Sequence, residues 1–359
     1  MRAAFLVIMA IVAALTGYVA WSIWRMTPGG TPLKATLTGV FILWMLTFFV
    51  GFFVMEKLPV GVSAVVYRVG NTWLIAFLYL LIFFIVADAA SLCHILPKGF
   101  MRNNDTALAC IVAAVAMILA AGAIHYRHKA REEMSIRTEK PLDEPLTVVL
   151  ASDLHLGYHN RRAELSRWVD LINREKPDLV LFGGDLIDMS LRPVLRDDDA
   201  EVLRRLAAPV YAVTGNHEYY AGIEAVEKFY KDAGIVLLKD STAVFKGIRI
   251  VGRNDRTYPC RAALCDLMPS PDRFTIVLDH QPSHLEEAEE AGADFQFSGH
   301  THRGQVWPIS WITDAIFEKS WGAYSRGSTR YYVSSGLGIW GAGIRIGTRS
   351  EYLVLRISN

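Results

Sequence analysis

The chain has 359 residues, 52% of them hydrophobic and 20% charged, with a formal net charge of +1 and a mean hydropathy of +0.25. That balance excludes a disordered chain and a disulfide mini-protein, and it is too apolar for a purely soluble protein of this size. The apolar excess lies at one end. Residues 1–126 carry seven Lys/Arg and three acids, which leaves 30 Lys/Arg against 33 Asp/Glu in the remainder. The remainder thus has no basic footprint, and nucleic acid is not an expected partner.

Four apolar stretches, residues 3–24, 35–55, 72–92 and 107–124, are long enough for a bilayer core, which takes about 20 helical residues. Pro28, Gly29, Gly30 and Pro59 fall between them, where turn formers belong. The first stretch is longer than the roughly 7–15 apolar residues of a secretory signal, so it is read as a retained helix. Arg2, Lys57, Arg68, Arg127, Lys129, Arg131, Arg137 and Lys140 fall on one side of the four spans. Only Arg25, Lys34, Lys98 and Arg102 fall on the other. This asymmetry predicts both termini inside, a multi-pass protein of the inner membrane, and a cytoplasmic globular half. Asp88 either lines a polar path through the bundle or sits at the headgroup boundary. Cys260 and Cys265 are expected to be free thiols rather than a metal pair.

The expected organisation is a four-helix transmembrane domain at 1–126, a juxtamembrane linker at 127–145 and a globular domain at 146–359. In the globular half a pattern recurs, a short apolar run followed at once by polar residues. Runs at 146–151, 178–182, 210–213, 274–278 and 295–297 lead into Asp153-Leu154-His155, Gly183-Gly184-Asp185, Gly215-Asn216-His217-Glu218, Asp279-His280 and Gly299-His300-Thr301-His302. Leu165, Trp168, Val169 and Ile172 fall at helical spacing between the first two runs, and shorter helical stretches follow at 201–206 and 223–230. Strands alternating with helices predict an α/β fold with a largely parallel sheet, whose polar strand ends converge on one site. The Asp197-Asp198-Asp199 run reads as a solvated loop.

Carboxylates, imidazoles and one amide from five segments point to a metal site. Paired Cys/His ligands of a zinc finger and the G-x-S-x-G elbow of a serine hydrolase are both absent. Mixed nitrogen and oxygen donors suit manganese, iron, zinc or nickel better than magnesium or calcium.

In this order, the five blocks resemble the D-x-H, G-D, G-N-H-E, H and G-H-x-H signature of the calcineurin-like metallophosphoesterase superfamily. The resemblance covers roughly residues 146–356. His300 to Gln305 and the tail Tyr331 to Gly338 look most like its bacterial membrane-associated phosphodiesterases, some of which act on lipids. The whole layout resembles transmembrane proteins with a metallophosphoesterase domain.

That resemblance implies two mixed sheets packed as a sandwich and flanked by helices. It also implies two divalent metals, one held by Asp153, His155, Asp185 and His302. The second would be held by Asp185, Asn216, His280 and His300, with Asp185 bridging. His217 would stand outside the metal shell and face the substrate, while Glu218 and Asp188 orient ligands. Two divalent cations set against two carboxylates and one hydroxide leave a net charge of about +1, suited to a phosphate anion. Direct in-line attack by a metal-bridging hydroxide, without a phosphoenzyme, would follow.

The chain is therefore expected to be a membrane-anchored hydrolase of phosphodiester, phosphomonoester or pyrophosphate bonds, acting on a phosphorylated, lipid-linked substrate. The alternative is a four-helix membrane sensor or transporter subunit whose metal domain binds a phosphorylated ligand without turnover. Trp307, Trp311, Ile312, Ile316, Phe317, Trp321 and Tyr324 fall largely at steps of three to five after the last metal block, with Ser310 a candidate helix cap. They form either a flap that dips into a membrane interface or a stripe packed on the sheet.

Overall fold

A computed structural model describes residues 2–97, 99–268 and 272–359, with the backbone alone at 2–6, 8 and 52. Lys98 and the side chain of Arg2, both used in the charge asymmetry, therefore lie outside the described part. The chain divides into two compact units, Met1–Ala123 and Ile124–Asn359.

The first unit is helical. Helices α1 (Arg2–Met26), α2 (Thr31–Val54), α3 (Val60–Leu92) and α4 (Asp105–Arg127) are each long and apolar enough to cross a membrane. Prolines sit where the chain enters α2 and α3, where a missing N–H costs nothing. α3 starts at Val60 rather than near residue 72. The polar residues that interrupted the apolar run are absorbed locally: Ser63 Oγ donates to the Met55 carbonyl (2.7 Å) and Asn71 Nδ2 to that of Tyr67 (2.8 Å). Asp88 is neither free nor stranded. It accepts from the Tyr18 hydroxyl at 2.5 Å and pairs with Arg25, so its charge is compensated within the unit.

The second unit contains twelve strands among the described residues. They are β1 (Lys129–Arg137), β2 (Leu146–Ala151), β3 (Leu179–Phe182), β4 (Val210–Ala212), β5 (Ile235–Leu237), β6 (Ser241–Phe245), β7 (Ile248–Gly252), β8 (Thr275–Leu278), β9 (Phe295–Ser298), β10 (Gly322–Arg326), β11 (Thr329–Val333) and β12 (Ser350–Ser358). One six-stranded sheet runs β1-β12-β2-β3-β4-β5 and the other β10-β11-β9-β8-β7-β6. Strands β2 to β5 pair in parallel, as the alternation with helices predicts, but β12 runs antiparallel to β2. Two mixed sheets, not one parallel sheet, is the arrangement the family resemblance implies.

The side-chain period of two explains why the strands read as unbroken apolar runs. In β2, Val149 and Ala151 face a core shared with Trp168, Ile172 and Phe229 of the flanking helices. Val148 and Leu150 face the opposite sheet, against Ile250, Ile276, Leu278 and Phe297. β8 is likewise buried on both sides, with Val277 packed among Leu264, Leu285 and Tyr331 on the outer face.

Two sequence expectations need correction here. The 127–145 segment is not simply a linker, because β1 pairs in parallel with β12 over its whole length. It read as a tether because an edge strand turns charged side chains to water, and only Ile136 of β1 is fully buried. Nor is Asp197-Asp198-Asp199 a solvated loop. Asp197 takes both arms of the Arg161 guanidinium at 2.7 Å, and Asp199 is buried, which pushes its carboxyl up to about 7.

Candidate metal centre

The polar blocks after β2, β3, β4, β8 and β9 meet at one rim of the sandwich. Asp153, His155, Asp185, His300 and His302 all hold a left-handed backbone, with φ between 45° and 70°. Each such residue costs on the order of 1–3 kcal/mol, and the surrounding packing must over-determine it. Five of the seven expected ligands are thus turned inward by strained loops that the strands end on.

The donor atoms converge. His155 Nε2 lies 3.0 Å from His302 Nε2, and His302 Nε2 lies 3.3 Å from Asp153 Oδ1. Asp185 Oδ2 is 3.8 Å from His155 Nε2 and 3.1 Å from His280 Nε2. Atoms bound to one cation at about 2.1 Å stand about 3.0 Å apart at octahedral angles and about 3.4 Å apart at tetrahedral ones. The observed spacings fall in or near that range. Three groups, Asp153/His155/His302, His155/Asp185/His217 and Asp185/His280/His300, each have ligand atoms mutually within 4.8 Å and would accept a metal ion. Asp185 belongs to two of them.

The free valences also fit a cation. His280 Nδ1 donates to the Gly183 carbonyl at 2.8 Å, which aims Nε2 inward, where it makes no hydrogen bond. Asn216 Oδ1 is buried without a hydrogen-bond partner. Glycine is required where the blocks touch. A Cβ at Gly215 would lie 2.1 Å from Asp185 Oδ1, and one at Gly299 2.3 Å from Asp153 Oδ2.

The electrostatics are those of a site built to hold positive charge. Burial raises the Asp153 and Asp185 carboxyls, but the neighbouring imidazoles, His302 and His280 foremost, overcome it and hold both well below the ordinary carboxylate range. Burial lowers His155, yet Asp153, Asp188 and Asp185 raise it to about 10. Burial dominates at His302, which falls to about 4, and it also lowers His300.

His217 sits at the partly exposed edge of this cluster. Its backbone N–H donates to Asp185 Oδ1 (2.9 Å), and its Nδ1 lies 3.1 Å from Asp188 Oδ1. Its ring meets that of His155 edge-on at 4.5 Å. Asp188 also lies 3.4 Å from His155 Nδ1 and so orients both rings. Glu218 is fully buried. It accepts from the backbone N–H groups of Gly215 (2.6 Å), Asp185 (3.0 Å) and Ile187 (3.1 Å) and from the Tyr230 hydroxyl (2.8 Å). It ties the β3 and β4 loops together without touching the donor cluster itself.

Two supporting residues escaped the sequence reading. Asn160 Nδ2 donates to the carbonyls of Leu154 (2.9 Å), His155 (3.2 Å) and Ile339 (2.9 Å), while its Oδ1 accepts from the Tyr126 hydroxyl (2.6 Å). The buried Arg345 donates to the carbonyls of His302 (2.8 Å), Ser335 (2.5 Å) and Gly338 (3.1 Å). Both act on carbonyls, so neither belongs to a motif; the only signal was a lone Arg directly after the apolar, glycine-rich stretch 336–344. Asn160→Ala leaves three buried carbonyls without a donor, a loss of about 1–3 kcal/mol each at most. Thermal melting of the variant should show a lower midpoint, and calorimetric titration a manganese affinity weakened about 10–100-fold. Wild-type values for both would deny Asn160 its positioning role.

His159 is in none of the donor groups and packs against the Tyr126 ring at 5.8 Å. His284 pairs with Glu286 on the surface. Cys260 and Cys265 are free and exposed. The aromatic segment forms a helix, Ile309–Ile316, capped at Pro308 rather than Ser310. It does not pack as a stripe on the sheet, since Trp311, Ile312 and Ile316 are 64%, 53% and 69% exposed. Phe317, at its end, meets the His300 ring edge-on at 6.4 Å.

A family model described as calcineurin-like phosphoesterase matches residues 146–304. An uncharacterized metallophosphoesterase of Helicobacter pylori is 33% identical over 229 residues, spanning 60% of this chain and 60% of that protein's length. A transmembrane protein with metallophosphoesterase domain from Bos taurus is 30% identical over 61% of this chain and 54% of its own. A third relative, an uncharacterized metallophosphoesterase of Campylobacter jejuni, is 30% identical over 70% of this chain and 69% of its own. With that coverage of both partners, and with every family motif present at the converging strand ends, the chain belongs to the calcineurin-like metallophosphoesterases.

Proposed function

We propose that this chain is a membrane-anchored phosphoesterase with a two-metal centre. The observation that carries the proposal is the place of Asp185 Oδ2 between two donor groups, 3.8 Å from His155 Nε2 of the Asp153/His155/His302 group and 3.1 Å from His280 Nε2 of the Asp185/His280/His300 group. In this reading Asp153, His155, Asp185 and His302 hold one ion, and Asp185, Asn216, His280 and His300 hold the other. Manganese, iron, zinc and nickel all suit the mixed donors. When bound, the ions supply charge neutralisation for a phosphoryl group and an acidified water. The chain's own part is to position and to move a proton. Asp188 turns His155 toward the cluster and holds the His217 ring by Nδ1, which leaves His217 Nε2 for the leaving oxygen of the ester.

A lipid-linked phosphate is the substrate class we favour. The helix that exposes Trp311, Ile312 and Ile316 begins seven residues after His302 and is followed by Phe317, whose ring meets that of His300, so an acyl chain on that face would deliver its phosphate to the centre. The Lys/Arg asymmetry around the four spans supports a cytoplasmic position at the inner membrane.

Full-length protein in detergent micelles, loaded with manganese, should hydrolyse bis-p-nitrophenyl phosphate. Membrane lipid extracts treated with it and resolved by mass spectrometry should show a phosphorylated lipid consumed. Trp311→Ser with Ile316→Ser should lower kcat/KM on that lipid about tenfold or more, from the burial of two apolar side chains, and leave the soluble ester unaffected. Equal losses on both substrates would remove the lipid assignment. Intact metal content with no hydrolysis at all would favour a sensor or transporter subunit that only binds its phosphorylated ligand.

A further inference from the structure

The junction after α4 contains a second polar feature, which shares no residue with the metal blocks. Arg127, His128 and Lys129 form one wall of a cleft of about 500 Å³, and Arg167, Trp168 and Arg174 of the helix Arg162–Arg174 form another. Two carboxylates also reach it, but both are engaged. Glu164 is paired with Arg167 at 2.5 Å and Asp170 with Arg205 at 2.5 Å. Neither Arg127 nor Arg174 has an ion-pair partner among the described residues.

Lys129 is held in the wall of the cleft with no carboxylate within ion-pair distance among the described residues, although the charge of Glu164 reaches it. Its Nζ donates to the Tyr126 carbonyl at 2.8 Å and lies 3.6 Å from the Tyr126 ring centre and 5.2 Å from that of Trp168. Burial lowers its ammonium to about 7, so an anion beside it would restore its charge. Trp168 is 1% exposed, and its indole N–H has no hydrogen-bond partner. An orphan donor of this kind is rare in a native interior and marks a place where a ligand or water belongs.

Chain continuity says which anion. Arg127 is the last residue of α4, a helix long and apolar enough to cross a membrane, so the cleft opens where that helix leaves the bilayer. Basic residues directly after a span attract anionic lipid at about 1 kcal/mol each. The volume suits a glycerophosphate headgroup. We propose that this cleft binds the phosphate of an anionic phospholipid, clamped by Arg127 and Arg174 with Lys129 and the Trp168 N–H as further donors.

The site is independent of hydrolysis, and the experiment keeps the two apart. Full-length protein in dodecyl maltoside micelles is titrated with dioctanoyl phosphatidylglycerol, dioctanoyl phosphatidylcholine and glycerol 3-phosphate, with occupancy read by native mass spectrometry. Phosphatidylglycerol should bind at least about tenfold more tightly than phosphatidylcholine. Two lost charges should weaken it about 30-fold in R127Q/R174Q, with hydrolysis of bis-p-nitrophenyl phosphate at the wild-type rate. Both arginines are exposed, so the variant should fold. Equal phosphatidylglycerol binding by wild type and variant, or no preference over phosphatidylcholine, overturns the proposal. Glycerol 3-phosphate binding as tightly as the lipid also overturns it, in favour of a soluble phosphate ester.

Discussion

Replacing Asp185 by Asn should remove bound metal and hydrolysis together, the largest single loss available in this protein. Asn keeps the shape of the side chain and deletes its charge. One carboxylate oxygen stands 3.1 Å from His280 Nε2 and 3.8 Å from His155 Nε2, and the other accepts the His217 backbone N–H. No other carboxylate belongs to two donor groups among the described residues. Removing partners that only orient a ligand already costs about 10–100-fold in metal affinity. The shared ligand itself should therefore cost more than about 100-fold, and turnover should fall to background. Manganese titration and ester hydrolysis measure the two losses, while circular dichroism checks that Asp185→Asn is folded. A folded variant that keeps metal and activity would mean that Asp185 is only structural.

His217→Ala should separate what Asp185→Asn joins. The ring lies at the partly exposed edge of the cluster, with Nδ1 3.1 Å from Asp188, and the role we propose for it is proton transfer to the leaving oxygen rather than assembly of the centre. Loss of a positioned acid of this kind costs about 10²–10⁴-fold in kcat. Metal content should stay at the wild-type level, and esters with better leaving groups should suffer less, because they need less protonation. A variant that loses metal as well would place His217 among the ligands, a result compatible with its grouping with His155 and Asp185. A variant that loses neither would remove it from the chemistry.

The legible parts of this fold are those whose two faces are both buried. β2, β3 and β8 present only apolar or small side chains until the chain turns polar at the rim, and β9 departs from this only at Gln296, so run and site were read together. The same property hides the number of sheets. Val149 packs on helices and Val148 on the opposite sheet, yet both are simply apolar in sequence. Only the likeness to a known family supplied the sandwich. β1 was illegible for the opposite reason, since its exposed residues, Arg131, Glu133, Ser135 and Arg137, are charged or polar at an edge. At the centre, donors such as Asp153 and His302 stand in recognisable blocks. Asn160 and Arg345 work through backbone carbonyls that a folded chain alone brings near, and no spacing in the sequence announces them.

Distant segments of the chain gather the proposed pair of cations, which can be counted. Full-length protein in micelles is loaded with manganese, freed of excess metal and analysed for metal per chain. The wild-type protein should hold two ions, and Asp185→Asn should lose both. A wild-type chain that retains fewer than two ions, or an Asp185→Asn chain that retains as many as the wild type, would rule out a shared two-cation centre.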